Sequence, residues 1–396
     1  MPSFEAVLEA ELAGLVAVGR RRTCPDVVGL SRTTVTVSGE PRLSFCSNDY
    51  LGLAAHPALA TAAAAAAARD GFGASASRLV SGDLPAHRQL EEALARFFDR
   101  PAALVFPSGY QTNIGVLTAL AGPDDVIVSD ALNHASIIDG CRLSRARIAV
   151  YPHGDPEAAA RLLDQAGPAR RRLLVTESLF SMNGDAAPLA ALADAAKTHD
   201  AVLIVDEAHA VGVLGPRGRG LCAAAGIVPD VLIGTLGKAL ATAGGFAAGS
   251  QVLRDLLVNR ARSFIFTTAL PPPVAAAALA ALELADGPEG DRRRALLRAH
   301  AERLAPHLAS LASLRSLRLA GTLPDTAIGS PIHPFVVGSE SAALALSAEL
   351  AHRQIFVPAI RPPTVPVGSA RLRITLSASH EPEDLDRLVL ALRLRP

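Results

Sequence analysis

Lys238 sits in the run Ile233-Gly234-Thr235-Leu236-Gly237-Lys238-Ala239-Leu240, just past a short apolar stretch. One apolar run earlier, Ala201-Val202-Leu203-Ile204-Val205 closes on Asp206-Glu207-Ala208-His209. A carboxylate, an imidazole and an amine at the ends of two successive strand-like runs suit an aldehyde cofactor. The amine can form a Schiff base with pyridoxal phosphate (PLP), and the acid can hold the pyridine nitrogen protonated so that the ring withdraws electrons. A buried aspartate and histidine that only satisfy hydrogen bonds would spell the same cluster, but Lys238 at the next strand end weighs against that. Asp-Glu-Ala-His also spells a helicase box. Nucleotide hydrolysis needs an upstream G-x-x-x-x-G-K-[ST] loop, which is missing here: Leu232 stands five before Gly237, and Ala239 follows Lys238.

Other polar clusters follow apolar runs in the same way. Ser108-Gly109-Tyr110-Gln111-Thr112-Asn113 opens a helix whose first amides can cradle phosphate, and the same turn serves as an ordinary helix cap. Asn133-His134-Ala135-Ser136 offers an imidazole that could stack on a pyridine ring, or a solvated loop histidine. Glu177-Ser178-Leu179-Phe180-Ser181-Met182-Asn183-Gly184-Asp185 supplies Ser181 as a donor to an anionic oxygen, or a polar turn built on Asn183-Gly184. In Arg361-Pro362-Pro363-Thr364-Val365-Pro366 the prolines fix the backbone around an arginine able to clamp a carboxylate; an edge-strand irregularity reads the same way. Arg20-Arg21-Arg22 is an anion contact or a solvated basic face. Thr267-Thr268, ahead of Pro271-Pro272-Pro273, reads as an ordinary strand end.

The elements that must position these residues follow from periodicity. Strands are predicted at 103–106, 126–129, 148–151, 173–176, 202–205, 231–234 and 246–248, alternating with helical segments. That is the pattern of an α/β fold with a mostly parallel central sheet. Its ligands belong at the carboxyl edge of the strands, where the polar clusters lie. Past the proline triplet, Leu304, Leu308, Leu311 and Leu314 recur at helical spacing as a core stripe. Strands at 331–337 and 372–376 and a helix at 384–394 complete a smaller α+β domain. The expected organisation is an N-terminal helix and short hairpin turning at Gly39 (residues 1–45), a large cofactor-binding α/β domain (46–285) and a small C-terminal α+β domain (286–396).

Composition excludes other classes. Lys+Arg and Asp+Glu both number 38 in 396 residues, so no net field draws nucleic acid or an anionic membrane, and an anionic ligand must meet local arginines. Cys24, Cys46, Cys141 and Cys222 are scattered, without the close pairs of a zinc site or a dense disulfide pattern. No metal is expected, and the cysteine usage suits a reducing cytoplasm. The first twenty residues carry Glu5, Glu9 and Glu11 and do not read as a secretion signal; the alanine tract at 61–68 reads as a helix and not a membrane span.

Taken in order, Ser47-Asn48-Asp49-Tyr50-Leu51-Gly52-Leu53, Ser108-Gly109-Tyr110, His134-Ala135-Ser136, Asp206 to His209, Gly234 to Lys238 and Arg361 to Pro366 resemble the α-oxoamine synthases. These are PLP enzymes of the aspartate-aminotransferase-like fold, fold type I. The resemblance implies that Lys238 carries PLP and moves protons at the substrate α-carbon, that Asp206 pairs with the pyridinium, and that His209 and Ser181 address the phenolic oxygen. His134 would stack on the ring and touch substrate, and Gly109, Tyr110 and Thr235 would seat the cofactor. Thr267 and Thr268 would reach a neighbouring subunit's phosphate, which implies a homodimer with sites at its interface. Asn48 and Arg361 would hold the amino-acid carboxylate; Arg20 and Thr364 would contact the acyl substrate.

Within the family, the Arg-Pro-Pro-Thr-Val-Pro run with Gly368 and Ala370-Arg371-Leu372-Arg373 is most similar to the biotin-pathway member. That member condenses L-alanine with pimeloyl-CoA or a pimeloyl-carrier protein. The alternatives are a synthase that uses glycine or serine with another acyl-CoA, and a non-catalytic PLP-binding regulator. The regulator would need a DNA-binding segment for which the N-terminal residues leave little room. Ala210 and Gly154 depart from residues common in the family and bear on acyl specificity.

Overall fold

The computed structural model describes residues 2–29, 33–314 and 326–393, with 312–314 described in backbone only. It divides into two compact units, the larger made of Asn48–Ser181 and Asp185–Leu296, the smaller of Met1–Ser47, Met182–Gly184 and Leu297–Pro396.

In the larger unit seven strands form one sheet: β1 (Ala102–Phe106), β2 (Val126–Asp130), β3 (Arg147–Tyr151), β4 (Arg172–Glu177), β5 (Ala201–Asp206), β6 (Val231–Thr235) and β7 (Gly245–Gly249). Their order is β1-β7-β6-β5-β4-β2-β3, all neighbours parallel except β7, which runs against both β6 and β1. Every predicted strand is present, within one residue at each end. The central runs are apolar because both faces are covered, whereas the edge strand β3 is mostly exposed. On one face Ile127, Leu173, Val175, Ile204, Val231 and Ile233 meet Val116 and Leu117 of α1 (Gly109–Leu120) and Ile137 and Cys141 of α2 (Ala135–Ser144). On the other face Val126, Val128, Leu174, Leu203 and Val205 meet the helices Pro156–Asp164 and Leu189–Thr198.

The two-residue alternation of a strand carries past the last apolar position. Glu177, Asp206 and Thr235 stand two residues beyond Val175, Ile204 and Ile233, so they emerge on the face covered by α1 and α2. Glu207 follows Val205 onto the opposite face.

The smaller unit has its own sheets. Ile332–Gly338 and Ala359–Ile360 both flank Ala370–Thr375 in antiparallel pairs. The hairpin Thr34–Val37/Glu40–Ser44 turns on Ser38 (φ 51) and Gly39 (φ 85). Two positive φ values give the two-residue turn whose twist matches that of the strands. Ile355–Phe356 pairs in parallel with Leu43 and Ser44, which ties the first 47 residues to the C-terminal part of the chain. Leu304, Leu308 and Leu311 are buried as the stripe predicts; the side chain of Leu314 lies outside the described residues. The predicted C-terminal helix spans Pro382–Arg393, and residue 394 lies outside the described residues.

Candidate active site

Glu177, Asp206 and Ile233 are register partners across β4, β5 and β6, so their side chains lie in one row on the covered face. Asp206 is 6% exposed and has two donors: the Ala208 amide at 2.9 Å to Oδ1 and Asn113 Nδ2 at 2.7 Å to Oδ2. Asn113 Nδ2 also reaches Ser136 Oγ at 3.0 Å, and Ser136 Oγ stands 2.8 Å from His134 Nδ1. One hydrogen-bonded chain therefore joins the carboxylate at the end of β5 to the imidazole at the start of α2.

Lys238 follows β6 in a tight turn, held where the Thr235 hydroxyl donates to the Gly244 carbonyl at 3.0 Å and accepts from the Gly237 amide at 3.2 Å. Its Nζ stands 2.7 Å from His209 Nε2, and His209 Nδ1 stands 2.7 Å from the Tyr50 hydroxyl. Tyr50 gives its own proton to Asn48 Oδ1 at 3.0 Å, so it takes one from Nδ1–H. That assigns the tautomer with a lone pair on Nε2, and Lys238 donates to it.

Glu207, between these residues in sequence, serves the fold instead. Its buried carboxylate accepts from Ser178 Oγ and from the amides of Leu221 and Cys222, where it caps the short helix Leu221–Ala224.

Ser108 caps α1 by accepting the Gln111 amide at 3.1 Å, so the amides of Gly109 and Tyr110 lie at the end of a helix where no carbonyl of the same helix reaches them. Gly245 on β7 lets that helix end come close: a Cβ there would stand 2.7 Å from Gly109 N and 2.5 Å from Thr112 Oγ1.

A cleft of about 160 Å³ within the larger unit is lined by Gly109, Tyr110, His134, Asp206, His209, Thr235 and Lys238, seven of the residues singled out in the sequence. Asn113, Ser136 and Glu177 line it as well. One amine, a buried carboxylate on the floor and a helix N-terminus are the donor set that a pyridine bearing an aldehyde and a phosphate requires. Two buried oxygens of this lining, Asn113 Oδ1 and Glu177 Oε1, have no hydrogen-bond partner among the described residues.

The other singled-out residues lie elsewhere. Ser181 is buried in the loop after β4, and Thr267 donates to the Thr268 carbonyl at 3.3 Å; neither they nor Asn48 line the cleft. Asn48 is joined to His209 through Tyr50. Arg20, Arg361 and Thr364 belong to the smaller unit. There Arg20 pairs with Glu340 at 3.1 Å, Arg361 donates to the Gly19 carbonyl, and Arg22 Nη2 stands 3.3 Å from the Pro362 carbonyl and 3.5 Å from Thr364 Oγ1. The basic run and the proline loop are thus neighbours within that unit.

Sequence reasoning quoted Tyr50, Asn113, Ser136 and Glu177 inside motifs without giving them a role. Asn113 was within reach, since it stands one helical turn after Gly109. Tyr50 was not, because 159 residues separate it from His209. Arg371 and Arg373, two residues apart on a buried strand, were likewise quoted without a role. Arg371 donates to Asn183 Oδ1 at 2.6 Å, and Arg373 is 8% exposed.

The profile of the aminotransferase class I and II family matches residues 40–392. The chain belongs to this family. An 8-amino-7-oxononanoate synthase of Anaeromyxobacter dehalogenans is 51% identical over 97% of this chain and 94% of its own. Among solved structures, a serine palmitoyltransferase from S. paucimobilis with bound PLP-myriocin aldimine superposes with a TM-score of 0.89 at 29% identity, covering 99% of this chain and 98% of that one. An 8-amino-7-oxononanoate synthase from Francisella tularensis superposes with a TM-score of 0.73 at 28% identity, covering 89% and 96%. The fold is that of the fold type I PLP-dependent transferases, and PLP is the cofactor.

Proposed function

We propose that this aminotransferase-family enzyme acts as an 8-amino-7-oxononanoate synthase of biotin biosynthesis. It condenses L-alanine with pimeloyl-CoA or a pimeloyl-carrier protein and releases CO2 and the free thiol. The observation that carries the reading is 51% identity over nearly the whole chain to a synthase of that name, in a chain whose Lys238, His209 and Asp206 line one cleft.

Bound there, PLP supplies an aldehyde that captures amines and a ring that stabilises negative charge on the adjoining carbon. Lys238 would hold the cofactor through its amine and would take and return the proton at the α-carbon of alanine. His209 Nε2, 2.7 Å from Nζ, keeps that amine oriented through the bond to Tyr50. Asp206, fixed by Ala208 and Asn113, presents an anion to the ring nitrogen. His134, oriented by Ser136, would meet the ring, and the α1 amides would receive the phosphate. In the smaller unit Arg361 is the proposed contact for the amino-acid carboxylate, and Arg20 and Thr364 for the acyl donor. A homodimer, with Thr267 and Thr268 meeting a partner's cofactor phosphate and Ser181 the phenolic oxygen, completes the proposal.

The test is thiol release by the purified, PLP-loaded protein, with alanine, glycine and serine each paired with pimeloyl-CoA and with shorter and longer acyl-CoAs. Release is expected to peak with alanine and pimeloyl-CoA. A peak with serine and a long-chain acyl-CoA would move the enzyme to serine palmitoyltransferase chemistry.

A further inference from the structure

The mechanism above leaves Glu177 without a task, although it is 3% exposed and lines the cofactor cleft. It sits beside Asp206 in strand register, so two carboxyl groups share one dry floor. Their surroundings differ. Asp206 receives the Asn113 amide and the Ala208 N–H, whereas Oε1 of Glu177 is buried without a partner. The backbone N–H of His134 favours the charged form of this carboxyl, but burial and Asp206 outweigh it. A carboxylate taken out of water beside a like charge and short of donors keeps its proton.

We propose that Glu177 is a positioning residue that stays neutral in the working enzyme. It leaves Asp206 as the sole anion beneath the cofactor ring, so that loss of its proton changes the electronic state of bound PLP. This inference rests on the PLP-enzyme reading of the site. The charged groups that act on Glu177 are Asp206 on β5 and the Lys238 amine after β6, and, from the opposite face of the sheet, Asp130 on β2. Burial first, then Asp206, push its carboxyl up to about 8, with Lys238 and the His134 amide opposing.

The experiment compares wild type with Glu177→Gln and Glu177→Asp, all loaded with PLP and without substrate. Glutamine keeps the size of the side chain and a carbonyl oxygen but has no proton to lose. In wild type, the infrared band of a protonated carboxylic acid should be present about two pH units below the pKa of about 8 and lost about two units above it, in step with a change in the absorption of bound PLP. Glu177→Gln should bind PLP within about threefold of wild type and lose both the band and the step; Glu177→Asp should keep both, displaced in pH. A purely structural role would lower affinity or stability and leave the step in place. The proposal is overturned if wild type shows no acid band titrating in this range, which needs no variant to fold, or if Glu177→Gln retains the step. Failure of the wild type to take up PLP would instead remove the functional reading itself.

Discussion

At the scale of single residues, the site is a set of protons held in defined places. Tyr50 fixes the tautomer of His209, and His209 in turn holds the Lys238 amine through the lone pair on Nε2. Lys238→Ala is expected to bind PLP without a covalent link, so that borohydride no longer fixes the cofactor to the chain, and to show no turnover. Asp206→Asn keeps an acceptor for the Ala208 amide and a group able to bond Asn113, whose unpartnered Oδ1 can turn toward it. What it loses is the charge beneath the ring. Turnover should fall on the order of 10²- to 10⁴-fold, while thermal stability without cofactor stays near wild type. A large stability loss in that variant would mean that Asp206 is mainly structural.

At the scale of elements, the chemistry depends on how closely a helix end approaches a strand. Gly245 permits the start of α1 to lie against β7, and a methyl group there would come within 2.6 Å of Gly109 Cα. Gly245→Ala should therefore lift the amides of Gly109 and Tyr110 off their position. The expected cost is about 1–3 kcal/mol of stability, with PLP affinity weakened at least tenfold, read by equilibrium dialysis and a denaturant titration.

The same comparison shows what the sequence could reveal. The strands were legible because a sheet covered on both faces demands unbroken apolar runs, and the clusters at their ends marked the ligand edge. Lys238, Asp206, His209 and His134 were readable from type and position. Glu207 shows the limit. It stands next to Asp206, yet strand alternation sends it to the opposite face, where it caps a helix. Tyr50 reaches His209 only through tertiary packing, and no local pattern encodes that contact.

At the scale of the whole molecule, each compact unit carries a histidine whose charge state ties folding to pH, half-buried in the larger unit and buried in the smaller, and the two act in opposite directions. In the larger unit His153 lies between Asp130 (2.9 Å) and Asp185 (2.7 Å). Burial of the ring works against its charge, but the two carboxylates outweigh it and raise its pKa to about 9. The folded state thus holds the proton more tightly than the unfolded chain, near 6.5. This contribution, roughly 3 kcal/mol, is complete below about pH 6.5 and disappears as the pH rises through about 9. In the smaller unit His333 is 4% exposed, its Nε2 unpartnered, and burial lowers its pKa to about 4. Here the unfolded chain binds the proton more readily, so the contribution is present above about pH 6.5 and lost as the pH falls toward about 4. Taken by themselves, these two contributions are jointly largest near the shared unfolded value of about 6.5, and each is lost on one side of it. Denaturant titrations across pH check this. His153→Gln should flatten the alkaline decline while leaving the acid one, and His333→Leu should do the reverse. An alkaline slope unchanged by His153→Gln would show that the Asp130–His153–Asp185 cluster does not hold its proton in the folded state.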